Sequence, residues 1–88
     1  MSQDDDADPR LRRLRMRSGR RGTKEMDLIL GPFAQARLAE MPPEALSAFE
    51  DLLEENDQDL YAWITGRAEP PARHGVLIES LRHFHAVS

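Results

Sequence analysis

Arg21, Gly22 and Glu25 carry the densest chemistry in this 88-residue sequence. An arginine offers five donors in a planar fork, and a carboxylate offers only acceptors. The glycine leaves backbone bare between them. Arg17, Arg20 and Asp27 flank the group. Residues of these types suit contact with another molecule: arginine takes its carboxylates, glutamate takes its arginines or backbone amides, and glycine permits close approach. The same residues also describe an ordinary helix start with a solvated ion pair. Spacing alone admits both readings.

Other chemistries find less support. The sequence has no cysteine, which excludes disulfides, thiolate zinc sites and a cysteine nucleophile together. The histidines are His74, His83 and His85. Two residues apart, His83 and His85 face different ways on a helix, and only His83 with Glu79 has ligand spacing. No metal site and no catalytic residue is expected. Ser18, Ser47 and Ser80 lack a visible His/Asp framework, and no glycine-rich loop fits a nucleotide fingerprint. The chain reads as a non-enzyme with no stably bound cofactor.

Charge is unevenly spread. The formal net charge is −4, but residues 1–24 hold eight Lys/Arg and four Asp, and residues 25–88 hold four Lys/Arg and twelve Asp/Glu. All eight early basic residues lie between Arg10 and Lys24. Such a stretch can neutralise phosphates, so a nucleic-acid- or anion-binding module is the competing class. Against it stand the acidic total and the absence of an aromatic residue within the basic stretch. The same arginines can instead pair with the chain's own acidic helices. No apolar run reaches the ~20 residues of a membrane helix. The acidic start at Asp4, Asp5 and Asp6 suits neither a secretory nor an organelle leader. A cytoplasmic protein without membrane insertion is expected.

The elements that must position these residues are helices. Residues 1–7 read as a disordered acidic tail and residues 8–88 as one helical domain. Asp8 caps a first helix over Arg10–Arg17, with Pro9 at its first position and Leu11 and Leu14 on one face. Ser18-Gly19 closes it. Thr23 caps a second helix with a Met26, Ile29, Leu30 stripe. Gly31-Pro32 is expected to end that helix and open a short third one running to Met41. After Pro42-Pro43, Leu46, Phe49, Leu52 and Leu53 form the clearest amphipathic pattern. Leu60, Trp63 and Ile64 line the next helix, ending at Gly66, with Trp63 in the core. Past the Glu69-Pro70-Pro71 linker, Val76, Leu77, Leu81 and Phe84 outline a last helix from about Ala72. Nothing alternates with period two. The fold class is all-α: a small compact bundle of five to six short antiparallel helices.

Arg21-Gly22-Thr23-Lys24-Glu25 resembles the RGxxE signature of the SdhE-like succinate dehydrogenase assembly factors, or flavinators. The likeness extends through Asp27-Leu28-Ile29-Leu30-Gly31-Pro32-Phe33 to Phe49-Glu50-Asp51-Leu52-Leu53 and Asp57-Gln58-Asp59-Leu60-Tyr61-Ala62-Trp63. It covers roughly residues 10–66. Gly19 departs from a family that usually places a bulkier residue there, often tryptophan.

The resemblance implies a small helical bundle that promotes covalent FAD attachment to the flavoprotein subunit of succinate dehydrogenase, or of fumarate reductase. The flavin is joined through its 8α-methyl carbon to a histidine of that partner. Arg21, Gly22 and Glu25 become partner-binding positions, with Arg17, Arg20 and Asp27 beside them. A cytoplasmic bacterial monomer that binds no nucleic acid is the expected form. That expectation predicts no DNA or RNA retention at physiological ionic strength. Retention that falls steeply as salt is raised would support the competing class.

Overall fold

The computed structural model describes residues 8–87, and every regular element among them is helical. Helix α1 spans Pro9–Gly19, α2 Lys24–Arg37, α3 Pro43–Leu53, α4 Asp57–Ile64 and α5 Gly75–Val87. Short 3-10 turns cover Leu38–Glu40 and Ala72–His74. The acidic tail expected over residues 1–7 lies outside the described residues.

Local chemistry explains most boundaries. Asp8 Oδ1 accepts from the backbone N–H groups of Arg10 at 2.9 Å and Leu11 at 3.4 Å, and Pro9 takes the first position of α1. Thr23 Oγ1 accepts from the Met26 N–H at 3.3 Å to start α2. Pro43 opens α3 in the same manner as Pro9. Asn56 and Asp59 cap α4 reciprocally: the Asp59 N–H donates to Asn56 Oδ1 and Asn56 Nδ2 donates to Asp59 Oδ2, both at 2.9 Å. After α4, Gly66 adopts φ +81°, a left-handed conformation that glycine takes without strain.

Two expectations fail. The break at Gly31-Pro32 does not occur; α2 runs unbroken through Pro32 to Arg37. An internal proline costs a helix ~3 kcal/mol or more. Leu30, Phe33, Ala34 and Leu38 are nonetheless all buried. Each large apolar side chain so buried contributes about 1.5–3 kcal/mol, so a continuous stripe outweighs one missing hydrogen bond. Pro32 itself is exposed. In α5, Val76 is 81% exposed, and Leu77, Ile78 and Leu81 are the residues facing inward.

Phe33 and Phe49 sit at the centre with ring centroids 6.0 Å apart, and Phe84 meets Phe33 edge-on at 5.5 Å. Leu14, Met26, Leu30, Leu52, Leu60, Ile78 and Leu81 fill the space around them. Trp63 is in this core, as its helical spacing implies.

One buried polar contact ties the C-terminal segment to the rest. His74 is fully enclosed, its ring 5.7 Å from that of Trp63. An ionised carboxylate only accepts, so His74 Nε2 donates to Glu55 Oε2, at 2.8 Å. Arg73 Nη2 donates to the same oxygen at 2.7 Å. The His74 hydrogen bond, aided by the Arg73 charge and opposed by desolvation, holds the Glu55 carboxyl below its ordinary 4.5. A carboxyl lowered by folding contributes stability above its ordinary value, and that contribution is lost as pH falls through the folded value. Melting temperature should therefore drop on acidification below pH 4.5. Glu55→Gln should melt lower at neutral pH and show a shallower acid limb.

Candidate docking site

The connection between α1 and α2 holds the residues singled out by type. Their side chains divide into two groups, one turned into the protein and one left outside.

Arg21 is turned inward. Its guanidinium donates to three acceptors in the α3–α4 region: Nη1 to the Leu53 carbonyl at 2.7 Å, Nη2 to the Glu55 carbonyl at 2.7 Å, and Nε to Asp57 Oδ1 at 2.8 Å. The last carbonyls of a helix have no helical partner, and a cation there also meets the negative end of the dipole. Arg21 is thus a C-terminal cap for α3, supplied from 32 residues earlier in the chain. Its side chain is only 12% exposed and that of Asp57 16%. Asp27 is committed nearby, accepting from the Arg21 backbone N–H.

Gly22 is held from the other oxygen of the same carboxylate. Its N–H donates to Asp57 Oδ2 at 3.0 Å. Its φ is not positive, so backbone geometry does not demand glycine here. A β-carbon would stand 3.5 Å from Asp57 Oδ2, an ordinary contact. Gly22 is exposed and so is Glu25, and the missing side chain leaves backbone bare on the surface.

Two shallow depressions flank this point. One, of about 410 Å³, is lined by Arg17, Arg20, Arg21, Gly22 and Asp57. The other, of about 280 Å³, is lined by Thr23, Glu25, Met26, Asp57, Gln58 and Tyr61. The first is rimmed by cations. The second pairs the Glu25 carboxylate with the Tyr61 ring. Asp57 forms the wall between them.

The remaining arginines of α1 also divide. Arg10 Nη2 donates to Glu50 Oε1 at 2.9 Å and Arg17 Nη2 to Glu54 Oε2 at 2.8 Å, both on or beside α3. These pairs and Arg21–Asp57 engage three of the eight basic residues with the chain's own carboxylates. Arg12, Arg13, Arg20 and Lys24 are exposed and have no ion pair with a described residue. Gly19 faces open space, with nothing within 4 Å of an added β-carbon, so a side chain can start there without meeting the bundle.

Of the six residues chosen from sequence, Arg20, Gly22 and Glu25 stand outward. Arg17 is shared with Glu54, and Arg21 and Asp27 are held inside. Asp57, on which Arg21 and Gly22 both depend, is not among the six, although it stands in the stretch of the resemblance that runs to Trp63. Its signal was the acidic residue opening the Asp-Gln-Asp run, 35 residues beyond the glycine that it binds. Among the described residues no group of His, Asp and Glu is arranged to hold a metal ion, and no helix is long and apolar enough to cross a membrane.

Fold and site together define a small all-helical module whose distinctive feature is a braced surface. The family model described as the flavinator of succinate dehydrogenase matches residues 12–85, and the chain belongs to that family. The match runs through α5, well past the segment whose motifs suggested it. A succinate dehydrogenase assembly factor 2 of Cryptococcus neoformans, named as mitochondrial, is 43% identical over 61 residues, 69% of this chain and 35% of that protein. An FAD assembly factor SdhE of Acetobacter pasteurianus is 38% identical over 68 residues, 77% of this chain and 62% of that protein. One from Legionella pneumophila is 43% identical over 51 residues, 58% of this chain and 65% of that protein. The chain thus spans between about a third and two thirds of the length of these relatives.

Removing the Arg21 side chain takes the guanidinium donors from the Leu53 and Glu55 carbonyls and leaves the largely buried Asp57 carboxylate without its cation. Arg21→Ala should cost roughly 3 kcal/mol in denaturant unfolding. Gly22→Ala should leave stability essentially unchanged. Equal stability of the two variants would remove the bracing role of Arg21.

Proposed function

We propose that this chain is a non-catalytic assembly factor that binds the flavoprotein subunit of succinate dehydrogenase and promotes covalent attachment of FAD to it. The observation that carries this reading is the bare Gly22 backbone, held outward by Asp57 between a cationic and an acidic depression, in a chain of this family. Fumarate reductase is the alternative client. Action as a monomer in a bacterial cytoplasm completes the reading.

The proposed dock uses the outward residues. Gly22 admits a partner segment to backbone contact. Arg20 and Glu25 fix its orientation through charges of opposite sign on either side. The exposed Arg12, Arg13 and Lys24 add attraction toward an acidic partner surface, which speeds encounter more than it tightens binding. Arg21 and Asp27 act indirectly, by fixing the backbone on which Gly22 and Glu25 ride.

Flavin attachment needs a flavin and a histidine held in line, with fixed dipoles for the developing charge. Those groups belong to the partner. A factor that binds one partner conformer better than others raises the population of that conformer by its differential affinity. It need lend neither acid nor base.

The test is co-expression of this chain with a succinate dehydrogenase flavoprotein subunit, reading flavin fluorescence that survives denaturation of the subunit. Fluorescence should rise with the unaltered chain. Gly22→Arg should stay folded and give the level seen without the factor. Glu25→Ala should lower fluorescence with little change in melting temperature. Full flavinylation by Gly22→Arg would overturn the docking role.

A further inference from the structure

The outer face of α2 breaks two local rules at once. Pro32 lies inside a 14-residue helix, at an exposed position where its ring fills no core space. One turn earlier, Leu28 is 61% exposed, one of three large apolar side chains left outside among the described residues. A proline has no N–H, so the Leu28 carbonyl lacks the donor that every mid-helix carbonyl ordinarily receives. The next carbonyl, of Ile29, is by contrast supplemented by His85 Nε2 at 2.8 Å. No side chain of a described residue is bonded to the Leu28 carbonyl.

These features fall on one line. Glu25, Leu28, Pro32 and Gln35 recur at i, i+3, i+7 and i+10, the spacing of a single helix face, and all four are exposed. The buried stripe of Met26, Leu30, Phe33 and Ala34 lies on the opposite side. Glu25 belongs to both surfaces: it lines the depression beside Asp57 and Tyr61 and begins the outer line. The outer line is therefore continuous with the Gly22 surface.

We propose that Leu28 and the Leu28 carbonyl are a second half of the flavoprotein dock: the side chain an apolar anchor, the carbonyl an acceptor that Pro32 keeps free for the partner. This rests on the proposed function. The occupant follows from continuity and from polar accounting. Whatever covers Gly22 and Glu25 and extends along α2 must also cover Leu28. An acceptor removed from water must be given a donor. The matching partner segment places an apolar side chain and an N–H donor side by side, next to the groups that meet Gly22 and Glu25. A mid-helix proline weakens the free protein, and such violations of local preference gather where function requires them.

The test compares the binding of a purified succinate dehydrogenase flavoprotein subunit by four versions of the full chain, with melting temperatures measured alongside. Gly22→Arg reports on the proposed function by itself and should abolish binding. Leu28→Glu should weaken binding by at least about tenfold, the effect of losing a buried leucine contact. Its melting temperature should fall little, since Leu28 lies outside the buried core. Pro32→Ala returns an N–H to the Leu28 carbonyl and should shift the two readouts in opposite directions. Melting temperature should rise, and affinity should fall by about fivefold, the worth of one hydrogen bond. A merely structural proline would move stability alone. If Gly22→Arg abolishes binding while Leu28→Glu and Pro32→Ala bind like the unaltered chain, this inference is overturned and the proposed function stands. If Leu28→Glu weakens binding and Pro32→Ala does not, the carbonyl has no role. Failure of the unaltered chain to bind, or full binding by Gly22→Arg, overturns both readings.

Discussion

The carboxylate of Asp57 is the constraint on which the rest of this site depends. One oxygen accepts from the Arg21 guanidinium and the other from the Gly22 amide. Both oxygens are thereby occupied by consecutive residues of one short connection. That fixes where α2 begins and which way its first turn faces. It also joins two of the stretches that carry the family resemblance, since Arg21-Gly22 comes from one and Asp57 from the other. With the guanidinium also bonded to the Leu53 and Glu55 carbonyls, three residues of the α3–α4 corner are held by one side chain. The other ion pairs are lesser. Arg10–Glu50 and Arg17–Glu54 are much more exposed, and pairs of that kind contribute about 0–1 kcal/mol each.

The arrangement separates two tasks that one motif had seemed to share. Arginine is the better-known recognition group, yet here its donors are consumed internally. In the proposed dock, recognition passes to what the arginine positions: a glycine without a side chain, a glutamate, and the line of α2 beyond it. A similar division recurs at α4, whose Trp63 carbonyl accepts from Arg82 Nε at 3.1 Å and Nη2 at 2.5 Å. Both helices of the α3–α4 pair therefore have carbonyls near their ends served by an arginine from another segment. This chain uses arginine as mortar where many small proteins use local turns.

Much of the fold was legible because its punctuation is local. Asp8-Pro9, Pro43, Asn56 and Gly66 act within a few residues, and each marks a boundary close to where its chemistry implies. Pro32 misled for the same reason: its local rule is genuine, but the stripe Met26, Leu30, Phe33, Ala34 overrides it by burial that no short window weighs. Val76 misled because Val76-Leu77-Ile78 is a run of apolar residues with no internal phase, and only packing chooses among them. The inward role of Arg21 was not legible. Two of its three side-chain acceptors are backbone carbonyls, which carry no residue identity, and all lie 32–36 positions away. His74 was equally hidden, since a single histidine after a proline pair gives no hint that Glu55 will enclose it.

The long reach of Arg21 has one more consequence. The acceptors that hold the Gly22 surface exist only once α3 has ended and α4 has begun, so the surface cannot be assembled by the first third of the chain alone. A partner that touches Gly22 is in effect inspecting the fold of the whole bundle. A factor that is half-folded, or has lost its α3–α4 corner, presents no such surface. The proposed recognition site thus doubles as a certificate of the factor's own integrity.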